Sequence, residues 1–172
     1  RTGVALNPET VERLAAHPNI QAVKEATGST DSCSEIVLRC PDLAVLSGDD
    51  SMTLPFASVG AVGVVSVASN LLPGEVTALC RAFLDGDWAG ARMWHQALFN
   101  FCRTLFAETN PIPVKGAMAK LGRDSGAMRL PMTEAKPETV ARVLSAMDLA
   151  RTGLPQHGTI NDAMGSRTTR TV

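Results

Sequence analysis

Ile20-Gln21-Ala22-Val23-Lys24-Glu25-Ala26-Thr27-Gly28 reads as a short strand closed by a turn. Side chains alternate across a strand, so Ile20, Ala22 and Lys24 share one face while Gln21, Val23 and Glu25 share the other. Two similar runs follow, Leu43 to Ser47, ended by Gly48-Asp49-Asp50, and Gly63 to Val67. Between the first two, Ser32 to Arg39 brings Cys33, Ile36, Val37 and Cys40 to helical spacing; between the last two, Ser51 to Val59 reads as a short helix. Upstream, Asn7-Pro8 is a cap and first-turn pair. It opens an amphipathic helix to about Ala16 with Val11, Leu14 and Ala15 on one side.

Three strands nearly continuous in Val, Ile, Leu and Ala, with helices between them, predict a parallel sheet covered on both faces. The pattern fits the α/β class, and within it a TIM (β/α)8 barrel. Eight units occupy about 250 residues, so this chain is expected to supply the last three strands, with the rest lying upstream of Arg1. After the third strand the pattern is helical throughout: Pro73 to Leu84, Trp88 to Phe106, Pro111 to Leu121 and Pro137 to Ala150. Residues 1–85 are therefore expected to form the partial barrel, 86–150 a helical C-terminal domain, and 151–172 a polar, disordered tail.

The 172 residues are 45% hydrophobic with a net charge of −1. A pI near 6.3 and the lack of a basic cluster interleaved with aromatics argue against a nucleic-acid partner. No apolar run reaches the roughly 18 residues of a membrane span, and the start lacks the charged-then-apolar order of a signal peptide. Cytoplasmic location is the expectation. Cysteines at 33, 40, 80 and 102 form no Cys-x-x-Cys pair, and histidines at 17, 95 and 157 are scattered, so no metal site is expected. The cysteines read as small buried hydrophobes.

Lys24 carries the chemical interest. An amine held among apolar residues sheds its proton and becomes nucleophilic toward a ketone, and barrel enzymes place such lysines at C-terminal strand ends. On spacing alone the favoured reading is a lysine that snorkels to solvent there or pairs with Glu25. Asp49 and Asp50 are poorly placed for an acid/base dyad because adjacent residues diverge; Asp50 reads as the cap of the helix that follows. Asn110 reads as the cap of a proline-led helix, and Trp88, Trp94, Phe99, Phe101 and Phe106 as packing within the helical part.

Six motifs, in order and at closely similar separations, resemble dihydrodipicolinate synthase, also called 4-hydroxy-tetrahydrodipicolinate synthase. They are Arg1-Thr2-Gly3, Val23 to Gly28, Leu46 to Asp50, Gly63 to Val67, Asn110 to Lys115 and Leu130-Pro131. The resemblance runs from Arg1 to about Leu154 and begins part-way through the family pattern. It implies condensation of pyruvate with aspartate semialdehyde through a Schiff base on Lys24, without metal or organic cofactor. It also implies that Arg1 binds a substrate carboxylate, that Val65 presents its main chain to pyruvate and that Gly48 lets the backbone pass close to the ligand. A homotetramer is implied as well.

The family's proton-relaying tyrosines and threonine precede the matched region, and the sequence contains no tyrosine. Acid/base steps contribute about 10² to 10⁴-fold, so this chain alone is expected to turn over poorly. N-acetylneuraminate lyase, a 2-keto-3-deoxy sugar-acid aldolase and a non-catalytic truncated homologue remain rival readings.

Overall fold

The computed structural model describes residues 3–152. Arg1 and residues 153–172, the bulk of the expected tail, lie outside them. Helix α1 spans Pro8–Ala15 and is capped by Asn7, whose Oδ1 accepts the Thr10 N–H at 2.9 Å. Strand β1 (Ala22–Glu25) leads through a turn at Gly28, with φ +80°, to α2 (Thr30–Arg39), capped by Ser29. Glycine suits that left-handed backbone because it lacks the Cβ that clashes there.

Strand β2 (Ala44–Ser47) is followed by a 3₁₀ turn at Asp50–Met52 and by α3 (Thr53–Ala57). The single helix expected over Ser51 to Val59 is thus two short pieces. Strand β3 (Gly63–Val64) precedes a second 3₁₀ turn at Ala68–Asn70. The third strand is shorter than expected because Ser66 Oγ, Val67 N–H and Ala68 N–H all donate to the Asp50 carboxylate, which draws the backbone out of the ladder. Four helices complete the chain: α4 (Pro73–Leu84), α5 (Trp88–Thr104), α6 (Ile112–Lys120) and α7 (Pro137–Thr152).

The strands form one parallel sheet in the order β1-β2-β3, with Lys24 opposite Leu46 and Leu46 opposite Gly63. Helices α1, α2 and α3 cover one face, where Val11, Cys33, Ile36, Leu43, Val45 and Phe56 pack together with Val23 at their edge. The other face is open, against the expectation of cover on both sides. Ala22, Lys24 and Val65 are exposed there, and Ala44 and Leu46 are half-buried, because none of the described helices crosses that side.

A second core joins Ala57, Ala68, Leu71 and Leu72 to α4, α5, α6 and α7, with Phe101 and Val143 fully enclosed. Several helix details differ from the sequence pattern. Leu14 is exposed, since the apolar contacts of α1 with the core are made by Val11 and Ala15. Pro111, not Asn110, occupies the cap of α6. Phe101 is buried and Trp94 packs at the rim of this core, but Trp88, Phe99 and Phe106 lie on the outer side of the helical layer and are exposed. Arg151 and Thr152, assigned by the sequence to the tail, finish α7, with Arg151 Nε 3.7 Å from Glu75 Oε1.

Candidate active site

The pleat and the parallel register bring three of the four expected site residues to one patch. Lys24, Leu46 and Gly63 form one row across the open face. Gly48 and Val65 follow in the next row, where the Val65 N–H donates to the Ser47 carbonyl at 2.8 Å. Arg1 lies outside the described residues.

Lys24 does not sit among buried apolar neighbours as alternation suggested. It is exposed, because the face it shares with Ala22 is the uncovered one. It has no ion-pair partner among the described residues, and the Glu25 carboxylate points to the opposite face. The Lys24 methylenes instead lean across to β2: a Cβ placed on Gly48 would lie 2.9 Å from Lys24 Cε, 3.0 Å from Lys24 Cγ and 2.5 Å from Ala26 Cβ. A cleft of about 530 Å³ runs along the free edge of β1, lined among others by Val4, Leu6, Val23, Lys24 and Thr27.

Two buried carboxylates hold the ends of the strands. Glu25, 3% exposed, accepts the Thr27 N–H at 2.7 Å and the Ser32 hydroxyl at 3.3 Å, which ties the turn after Lys24 to the first turn of α2. Its backbone carbonyl accepts the Gly48 N–H at 2.7 Å. Asp50, 6% exposed, accepts the Val67 N–H at 2.9 Å and the Ala68 N–H at 3.1 Å, and the Ser66 hydroxyl as well. The cap of the 3₁₀ turn falls to Asp49, whose Oδ1 accepts the Ser51 N–H at 2.8 Å. Asp50 is therefore a tether between β2 and the Val65 segment, not the helix cap the sequence suggested. The diverging paths of Asp49 and Asp50 agree with the reading that they do not form a dyad.

Glu25 was legible only in part. Alternation placed it on the face with Val23, and a carboxylate on a core face requires hydrogen-bond donors. Those donors follow closely, Thr27 in the turn and Ser32 in the first turn of α2.

All four cysteines are free, and Cys33, Cys40 and Cys102 are buried. Burial pushes the Cys33 thiol up, and the nearby Glu25 charge pushes it the same way. Such thiols are poor nucleophiles and poor metal ligands. No cluster of three or more potential metal ligands occurs among the described residues. Nor is any described helix long and apolar enough to cross a membrane.

A family model described as the dihydrodipicolinate synthetase family matches residues 1–149. The chain belongs to that family. The 4-hydroxy-tetrahydrodipicolinate synthase of Sorangium cellulosum (strain So ce56) is 50% identical over 149 residues, covering 86% of this chain and 50% of the relative. The solved 4-hydroxy-tetrahydrodipicolinate synthase from Methylacidiphilum fumariolicum SolV superposes with a TM-score of 0.84 at 44% identity, over 89% of this chain and 52% of that one. The chloride inhibited dihydrodipicolinate synthase from Acinetobacter baumannii, solved in complex with pyruvate, gives a TM-score of 0.82 at 33% identity, over 88% and 52%. The chain thus spans about half the length of the curated relatives it matches. Within that span the family match takes in Lys24, Gly48 and Val65 together with the whole helical part to residue 149.

Proposed function

We propose that Lys24 is the imine-forming lysine of a pyruvate-dependent lyase. The reaction is the condensation of pyruvate with L-aspartate 4-semialdehyde to 4-hydroxy-tetrahydrodipicolinate, on the route to diaminopimelate and lysine. One observation carries this reading: an amine without an ion-pair partner among the described residues stands at the C-terminal end of a parallel strand, on the open face, beside the glycine that follows the next strand. The relatives' name supplies the product, the pyruvate held by the Acinetobacter relative supplies the first substrate, and the semialdehyde is the second substrate that the resemblance implies.

The steps follow from amine chemistry. Lys24 Nζ adds to the keto carbon of pyruvate and water leaves, giving a protonated imine. That nitrogen withdraws electrons from the methyl carbon, which loses a proton and becomes the nucleophilic end of an enamine. The enamine carbon attacks the aldehyde, whose oxygen takes up a proton and becomes a hydroxyl. The amine of the semialdehyde then attacks the imine carbon, closing the ring and releasing Lys24. No metal or organic cofactor enters this sequence.

Arg1 is assigned to a substrate carboxylate, a task for which a planar, permanently charged fork is suited, and Val65 offers its main chain to the bound pyruvate. With no tyrosine in the sequence, the imine and enamine steps are those we assign to this chain, and turnover by it alone is expected to be slow. The three strands correspond in this reading to the last three of a (β/α)8 barrel. Its interior would be the open face, and its next strand would lie along the cleft at the free edge of β1. The helical part then forms the C-terminal domain of a cytoplasmic homo-oligomer, a tetramer by resemblance.

The test is direct. Incubation with pyruvate followed by borohydride reduction and peptide mass mapping should place the adduct on Lys24; an adduct elsewhere, or none, overturns the assignment. Turnover measured with aspartate semialdehyde against sialic acid and keto-deoxy sugar acids fixes the second substrate. Exclusive cleavage of a sugar acid would remove the synthase reading while leaving the imine.

A further inference from the structure

Gly48 sits where any side chain would meet two neighbours, one on β1 and one just past its end. One is Ala26 Cβ at 2.5 Å, which has no rotamer by which to move away; the others are Lys24 Cε and Cγ at 2.9 and 3.0 Å. The strands cannot easily part to make room, since the Gly48 N–H is bonded to the Glu25 carbonyl at 2.7 Å, next to Lys24 itself. The lysine stem therefore lies across the bare backbone of Gly48, and the open face beyond it leads to Val65 in the neighbouring row.

We infer that Gly48 is a positioning residue: its missing side chain is the floor over which Lys24 crosses to β2, and so sets where the imine carbon forms. This rests on the assignment of Lys24 as the imine-forming lysine. It differs from the expectation that Gly48 makes room for the ligand, because the atoms that would collide belong to Lys24 and Ala26. Displacing a reacting group by about 1 Å costs up to roughly 100-fold in rate. A methyl at position 48 would push the Lys24 stem by a comparable amount.

The experiment compares the unmodified chain, Gly48→Ala, and the double variant Ala26→Gly/Gly48→Ala. The double variant removes the Ala26 methyl and leaves the Lys24 stem as the obstructed group. For each, the rate at which borohydride traps pyruvate on Lys24 is measured against pyruvate concentration, with the fold monitored by circular dichroism and thermal melting. The double variant should melt like the unmodified chain. Its maximal trapping rate should fall roughly 10- to 100-fold at nearly unchanged half-saturating pyruvate. A wild-type rate in the double variant means that only strand spacing mattered and overturns the inference. A raised half-saturation point with an unchanged maximal rate also overturns it, since that is direct ligand contact. Absence of any Lys24 adduct in the unmodified chain brings down the proposed function itself, and this inference with it.

Discussion

On one face of the sheet Val23, Leu43 and Val45 pack against Val11, Ile36 and Phe56, whereas on the other Ala22, Lys24 and Val65 are exposed, with no described helix over them. The same strands build both, and the pleat alone separates them. Changes on the covered face should act on stability, and changes on the open face on chemistry. The largest expected effect tests the second half of that statement. Lys24→Met should abolish pyruvate trapping by borohydride while shifting unfolding free energy by no more than about 0.5 kcal/mol, as exposed substitutions usually do. A variant that unfolds instead, or still traps pyruvate elsewhere on the chain, breaks the division.

The mirror experiment is Phe56→Ala. Phe56 is fully buried in the covered-face cluster, and truncating such a ring costs about 3–5 kcal/mol through lost burial and the cavity left behind. Denaturant titration should show that loss. Under conditions where the variant remains folded, Lys24 should still be trapped, because Phe56 lies on the side of the sheet away from it.

The covered face was largely readable in the sequence. Cys33 and Ile36 at helical spacing, the alternation through Val23, and the Asn7 cap all reappear in the structure, since each is a local pattern with a local cause. Lys24, Gly48 and Val65 were nameable for a different reason, their place in ordered motifs, and the register then put them on one patch. What the sequence misjudged depended on long-range neighbours. Alternation could say that Lys24 shares a face with Ala22, but not that no described helix covers that face. Asp50 has the side chain of a helix cap, yet its donors come from Ser66, Val67 and Ala68, sixteen to eighteen residues on. The exposed Trp88 and Phe99 show the same limit, since residue type alone does not say which side of α5 meets the core.

Glu25 is the residue where the two faces meet, buried on one side and adjacent in sequence to the lysine on the other. Glu25→Ala leaves the Thr27 N–H and the Ser32 hydroxyl without their acceptor. Each such bond to a charged group contributes about 1.5–3 kcal/mol, but Thr27 is exposed and Ser32 only half-buried, so water can take over as acceptor and the net loss should stay below that of Phe56→Ala. Trapping at Lys24 should slow as well, because the turn that ends β1 loses its tie to α2. Glu25→Gln keeps an oxygen that can accept from Thr27 and should recover part of both. Unchanged trapping in a measurably destabilised Glu25→Ala chain would show that the faces are separable even here.

The smallest effect belongs to α1, which covers the sheet through Val11 and Ala15. Its N-terminus is held by the Asn7 side chain on the Thr10 N–H, and no part of that contact reaches the open face. Asn7→Ala should cost about 1 kcal/mol, the usual loss for a capping residue, because one N–H of the first turn must then bond to water instead. Denaturant midpoints should move by that amount, while the pyruvate-trapping rate at Lys24 stays constant. A fall in trapping would mean that the segment before α1, whose Val4 and Leu6 line the cleft beside β1, depends on the Asn7 cap for its place next to the lysine. In that event the cleft at the β1 edge would belong to the site, and the boundary between packing and chemistry would run through α1 instead of along the plane of the sheet.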